Sequence, residues 1–238
     1  MNAKGFNQWG TSDGATITQV LSARSNVFLI SYNQKNILVD TGPRFMRRWL
    51  DKRLTALDVH TIHYLILTHS HFDHAANAKY IREKYGTKVL IHKSEVPFLT
   101  SGDNEIPQGT NFFTHALTRS MGKFVARWVK YDPCPADIVV EERFDMLPLG
   151  LNGYIIPTPG HSTGSMSVVV DNEIALVGDA MFGVFKGSVF PPFADDVNRM
   201  LASWKFLLDT KCHTFLPSHG SARSRDLLQK CYDRKKSF

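Results

Sequence analysis

Between residues 15 and 39 the chain alternates and then runs apolar in three short bursts, 15–21, 26–30 and 36–39, separated by turn-forming residues. Bursts of that length between turns predict three neighbouring antiparallel strands. A further apolar run at 64–67 is followed by a helical period over 75–85, and residues 88–91 read as a strand again. Strand, helix and strand in succession predict a mixed α/β architecture. The second half repeats the style, with strand-like runs at 138–140, 154–156, 166–170, 174–177 and 214–216.

Helices are expected at three further places. Pro43 suits the first turn of a helix through Leu54. Asp40, which ends the third strand, is read as the cap of that helix, with support of metal ligands from behind as the alternative. Asp195 or Asp196 begins a helix through Leu208, whose stripe Met200, Leu201, Trp204, Leu207 and Leu208 predicts burial. Residues 95–135 interrupt the alternation. There Phe113, Leu117, Met121, Phe124, Val125 and Trp128 recur at helical spacing, while His115, Arg119, Lys123 and Arg127 form a basic side. Three readings stay open for this amphipathic helix: packing on the core, a lid over a site, or a surface meeting an acidic membrane or partner.

Composition narrows the class. A chain of 238 residues, 43% hydrophobic and 21% charged, is long enough for one large core and ordinary for a globular protein. Residues 1–238 are therefore expected to form a single domain, with a helical insertion or lid at about 95–135. The formal charge of +6 favours anionic partners but discriminates weakly. Cys134, Cys212 and Cys231 are odd in number and lack a C-x-x-C pattern, which points away from a disulfide framework and a thiolate zinc site. With no apolar leader and no run long enough for a membrane span, the expected location is the cytoplasm.

The chemistry concentrates at 68–74, where His69, His71, Asp73 and His74 crowd the loop between a strand and a helix. Imidazoles and a carboxylate held by two rigid elements suit zinc, iron, manganese or nickel. Three more candidates follow strands: His161 in the turn Pro159-Gly160-His161, Asp179 after Gly178, and His219 in Pro217-Ser218-His219-Gly220. Strand ends are where α/β proteins assemble sites. Seven nitrogen and oxygen donors exceed the needs of one four-coordinate metal, whereas two neighbouring metals bridged by a carboxylate would use them all. His60, His63, His92, His115 and His213 lie outside these motifs and are read as surface or structural residues. The phenylalanine- and proline-rich stretch 182–193, with Phe98, Phe112 and Phe113, reads equally as core or as the lining of an apolar substrate pocket.

From the early strands to Gly220 these motifs, in this order, resemble the metallo-β-lactamase superfamily of binuclear metallohydrolases. The resemblance implies an αββα four-layer sandwich, two mixed sheets flanked by helices, with the metals at one edge. It implies one metal on His69, His71 and His161, a second on Asp73, His74 and His219, and Asp179 bridging them. Two divalent ions are expected, zinc first, with manganese or iron as alternatives. A hydroxide held between them would attack a carbonyl or phosphoryl centre, and Asp73 is the candidate catalytic proton shuttle.

Departures from subfamily patterns narrow the substrate. Zinc β-lactamases resemble the chain less, because a cysteine or serine stands where this chain has Asp179. Glyoxalase II enzymes are similar at Asp73, Asp179 and the Gly178–Phe182 pattern, but only about one helix remains after His219 for glutathione binding. Acyl-homoserine lactonases are similar too, with a tyrosine where this chain has Phe182. The expected activity is hydrolysis of a small ester, lactone or thioester with an apolar acyl part. A phosphodiesterase or ribonuclease-like hydrolase is the alternative, and a persulfide dioxygenase-like mono-iron enzyme the second. The expected partner is a small-molecule substrate, with no specific nucleic-acid partner, since no aromatic-and-basic repeat suited to single strands is present.

Overall fold

The apolar runs are buried on both faces, which is why they read as continuous rather than alternating. The computed structural model describes residues 5–22, 24–103, 109–110 and 129–236. The first sheet takes β1 (Gln8–Gly10), β2 (Thr16–Leu21), β3 (Val27–Tyr32), β4 (Lys35–Val39), β5 (Tyr64–Ile66), β6 (Lys88–His92) and β7 (Ile138–Val140), paired in chain order. β1 to β4 pair antiparallel, and β4 to β7 parallel. The second sheet runs β13-β12-β11-β10-β9-β8, from β8 (Phe144–Asp145), β9 (Gly153–Pro157), β10 (Met166–Val170), β11 (Ile174–Gly178), β12 (Thr214–Pro217) and β13 (Arg223–Ser224). Among the described residues only β11 and β12 pair parallel in it.

Three cores stack through the molecule. Ile17, Phe28, Ile30, Val39 and Ile66 of the first sheet meet Ile155, Val168, Val170 and Leu176 of the second between the sheets. On the outer face of the first sheet, α1 (Arg47–Ala56) and α3 (Ala78–Tyr85) bury Leu50, Leu54 and Ile81 against Leu29, Leu65 and Val89. On the outer face of the second, α5 (Val197–Asp209) and α6 (Arg225–Lys236) bury Met200, Trp204, Leu207 and Leu228 against Val169, Ala175 and Phe215. Helices outside two facing mixed sheets make the αββα sandwich. Among the described residues no helix is long and apolar enough to cross a membrane.

Local signals mostly set the elements. Asp196 caps α5 by accepting from the Arg199 amide at 3.0 Å, and Trp204 is wholly buried on the predicted stripe. The helical period after the metal-loop sequence divides into α2 (Phe72–Ala75) and α3. The break falls at Asn77, whose backbone N–H donates to the Thr41 hydroxyl at 3.1 Å while its side-chain NH₂ faces the carbonyls of Thr41, Gly42 and Pro43. A 3₁₀ turn over Arg44–Met46 follows Pro43 before α1 begins, and Pro43 itself holds the cap position without a side-chain bond. Asp40 is therefore not a helix cap. The amphipathic stretch 113–128, with its basic side and Phe112 and Phe113, lies outside the described residues.

Candidate metal centre

Five strands deliver the site to one edge of the sandwich. Asp40 follows β4, His69 and His71 follow β5, His161 follows β9, Asp179 follows β11 and His219 follows β12. Asp73 and His74 lie on the short α2, whose carbonyl at His74 accepts from the Thr41 amide and hydroxyl, each at 2.7 Å. The turn before His161 requires glycine. Gly160 has φ +138°, and a Cβ there would lie 2.4 Å from Met200 at the start of α5.

All seven predicted donors converge. The ring atoms of His71 (Nδ1) and His161 (Nε2) stand 3.0 Å apart, and His69 packs within 4.0–4.8 Å, centroid to centroid, of His71, His74 and His161. Asp179 sits between two groups: its Oδ2 is 3.5 Å from His161 Nε2 and 3.3 Å from His219 Nε2, and its Oδ1 is 3.7 Å from His74 Nε2. Asp73 lies 3.4 Å from His219 and 3.7 Å from His74. Three sets, His69–His71–His161, His69–His74–Asp179 and Asp73–His74–His219, each place donor atoms within 4.8 Å of one another.

The outward nitrogens are fixed by named partners. His69 Nδ1 lies 3.1 Å from the Thr68 hydroxyl, His161 Nδ1 donates to the Phe193 carbonyl at 2.9 Å, and His74 Nδ1 donates to Asp40 at 2.9 Å. Asp40 also accepts from the Thr68 amide at 2.8 Å and the Ser218 hydroxyl at 3.0 Å. It holds φ +61°, a left-handed conformation unusual for a residue with a side chain, and so serves the support role rather than the cap. These anchors aim the opposite ring nitrogens inward. There His69 Nε2, His74 Nε2 and Asp179 Oδ1 are buried without a hydrogen-bond partner among the described residues. Orphaned buried polar atoms are rare, and three facing one another with nitrogen and oxygen donors around them fit divalent metal ions.

The charge distribution is uneven. Burial, reinforced by the neighbouring imidazoles, pushes His69 well below the usual range and His71 to about 3. Burial opposes charge on His74 and His219 as well, but the carboxylates win. Asp73, Asp179 and Asp40 raise His74 to about 9, and Asp179 and Asp73 raise His219 to about 11. Burial would likewise raise the carboxyls, yet His74 and His219 hold Asp73 at about 2, and His219, His74 and His161 hold Asp179 well below the carboxylate range.

Sequence reasoning did not single out several contributors. Glu95, Ser25 and Asn26 have no local signal and act through distant partners, such as the Ser25 hydroxyl on the Asp73 carbonyl at 2.5 Å. Phe182 lies against His219, with ring centroids 4.8 Å apart and a 34° tilt. Of the histidines set aside, His60 is exposed, and His63 and His92 accept backbone N–H groups from Asn36 and Ser94. His213 Nδ1 lies 2.9 Å from the Thr214 hydroxyl, and His115 lies outside the described residues.

Comparison with known proteins agrees with the geometry. Residues 23–219 match the family model of the metallo-β-lactamase superfamily. The chain is 28% identical over 208 residues to a probable metallo-hydrolase of Methanocaldococcus jannaschii, covering 84% of this chain and 90% of that one. It is 30% identical over 197 residues to an uncharacterized protein of Mycobacterium leprae, covering 78% and 81%. Among solved structures, an archaeal superfamily protein from Sulfolobus tokodaii superposes with a TM-score of 0.63 at 21% identity, over 88% of this chain and 79% of that one. A subclass B3 enzyme of Bradyrhizobium japonicum gives 0.63 at 18%, over 93% and 89%.

Proposed function

This chain belongs to the metallo-β-lactamase superfamily, and we propose that within it the protein is a dinuclear metallohydrolase opening a small ester, lactone or thioester with an apolar acyl group. His69, His71 and His161 would hold one divalent metal, Asp73, His74 and His219 the other, and Asp179 would face both. Zinc suits this donor set first, with manganese or iron as substitutes. When bound, two such cations acidify water and polarise a carbonyl oxygen.

The chain's own residues account for the rest. Asp73, at 21% side-chain exposure, is the more open of the two central carboxylates, Asp179 standing at 7%. It is positioned to take a proton from attacking water and return it to the leaving oxygen or sulfur. Asp73→Asn should lose turnover, and near-normal turnover in a variant that retains both metals would end that role.

One observation carries the substrate class: an aromatic shelf beside His219. Phe185 lies 6.1 Å from Phe182, and both Phe185 and Val184 are more than half exposed. The shelf is fixed to the ligand loop, since the Gly183 amide donates to the His219 carbonyl at 2.6 Å and the Ser221 amide to the Gly183 carbonyl at 3.0 Å. Exposed apolar side chains next to a polar cluster favour an acyl chain over a phosphodiester. The three cysteines are buried free thiols, which suits a cytoplasmic setting.

The test sets the zinc-loaded protein against an acyl lactone, an acyl thioester and an activated phosphodiester, with His71→Ala as an inactive control. Turnover confined to the acyl substrates is expected. In addition, Phe185→Ala should cost roughly tenfold in kcat/KM on a medium-chain acyl substrate and little on the acetyl analogue. Turnover confined to the phosphodiester would overturn the acyl reading.

A further inference from the structure

Glu95 stands in the turn between β6 and α4 (Val96–Ser101), 2% exposed, and is not among the seven donors. Its Oε2 accepts from the amide (3.0 Å) and hydroxyl of Ser70, and its Oε1 accepts from the Ser162 hydroxyl at 2.7 Å and the Gly164 amide at 3.0 Å. Ser70 separates His69 from His71, and Ser162 follows His161. One buried carboxylate thus ties the loop after β5, in the first sheet, to the loop after β9, in the second. The Ser70 and Ser162 ties fall beside members of the His69–His71–His161 set, and the Gly164 tie holds the same loop three residues past His161.

The other set has different supports. The Ser25 hydroxyl holds the Asp73 carbonyl, Thr41 and Asp40 hold His74, and Asn26 donates to the carbonyls of Pro217 and Gly220 on either side of His219. None of these bonds involves Glu95. We infer that Glu95 is the positioning residue of one metal position only, setting the affinity of the His69–His71–His161 site while the Asp73–His74–His219 site is independent of it. This rests on the dinuclear reading above.

The chemistry demands a carboxylate. Each oxygen of Glu95 accepts from a backbone N–H, and a backbone N–H cannot turn round to accept. Glutamine keeps the size of the side chain, but its NH₂ must face either the Ser70 or the Gly164 amide, donor against donor, in a buried site. Gly164 is matched to the carboxylate from the other side, since a Cβ there would lie 2.5 Å from Glu95 Cγ. Glu95→Gln and Gly164→Ala therefore perturb one clamp from its two jaws.

The test titrates the metal-depleted full chain with Co(II), counting bound metal and following the visible d–d bands, with His71→Ala and Asp73→Ala marking the spectrum of each position. Wild type should take two equivalents. Glu95→Gln should weaken one of them by about 10–100-fold, removing the bands that His71→Ala removes and leaving those that Asp73→Ala removes. Gly164→Ala, checked for folding by circular dichroism, should do the same and decides the matter should Glu95→Gln not fold. Unchanged affinity at both positions, or equal weakening of both, overturns the inference. Wild type binding a single equivalent ends the dinuclear reading instead. The clamp then stands if Glu95→Gln weakens that equivalent as His71→Ala does, and falls if it does not.

Discussion

The two halves of the site are built from opposite electrostatics. Asp73, His74 and His219 sit with Asp179 and Asp40, so protons on the imidazoles balance carboxylates when no metal is present. His69 and His71 crowd other imidazoles and are buried as neutral rings. The supports differ in kind too. Asp40 bonds a ligand ring directly, and a carboxylate on the far nitrogen of an imidazole raises its basicity as well as fixing its tautomer. Glu95 hydrogen-bonds only the backbone and hydroxyls beside the rings of the other half, and its charge reaches His71 through space. In the dinuclear reading, one half is braced by a carboxylate on a ligand ring and the other by a carboxylate on the loops that carry the rings, while Thr68, which meets both Asp40 and His69, joins the two.

The largest expected effect follows from the charges. His74, raised to about 9, and His219, raised to about 11, both carry protons at pH 7.5 in the metal-free protein. A metal there must displace them, releasing about two protons. Affinity at the Asp73–His74–His219 position should therefore climb with pH, by about a hundredfold per unit, until pH passes 9 and His74 is already bare. His69 and His71 hold no proton to lose at neutral pH. Calorimetric titration in buffers of different ionisation enthalpy counts the protons, and a release near zero at pH 7.5 would break the comparison at its root.

Next in size is Asp40→Ala. It strips His74 Nδ1, the Thr68 amide and the Ser218 hydroxyl of a shared buried acceptor. About 10–100-fold should be lost in metal affinity at the Asp73–His74–His219 position, with a smaller loss at the His69–His71–His161 position, because the Thr68 hydroxyl that meets His69 Nδ1 also donates to Asp40. Competition with a chromophoric chelator reads both affinities, and equal losses at the two positions would show that the halves share one support.

How much of this was legible in the chain depends on how far each residue's partners lie. His69, His71, Asp73 and His74 announce themselves in one loop, and His161, Asp179 and His219 each follow an apolar run, so local pattern picks out the seven donors that the fold brings together. The two sheets were legible because strands buried on both faces read as plain apolar runs. β8 and β13 have only two residues each, and β1, Gln-Trp-Gly, is exposed at both ends, so none of the three carries an apolar run. Asp40 before Gly42-Pro43 reads locally like a cap, and what decides otherwise is Thr68, His74 and Ser218, 28, 34 and 178 residues away. Glu95 is harder still, because its partners lie 25 residues back and 67 to 69 residues ahead. Donor atoms are local in sequence, while the groups that aim them are fixed only once the sheets face each other.

The smallest expected effect gives the sharpest comparison. Ser218 donates one hydroxyl to Asp40 at 3.0 Å, and Ser162 donates one to Glu95 at 2.7 Å. Each carboxylate keeps a backbone N–H donor when its serine is changed to alanine, so each loss should stay near an ordinary hydrogen bond, about 0.5–1.5 kcal/mol or roughly 2- to 13-fold in affinity. Ser218→Ala should act on the Asp73–His74–His219 position and Ser162→Ala on the other. Because the two hydroxyls share no partner, the double variant should show the sum of the two losses within about 0.5 kcal/mol. A coupling above about 1 kcal/mol would mean that strain passes between the loops. Asp179, which faces ligands from both sets, is the residue through which it would pass.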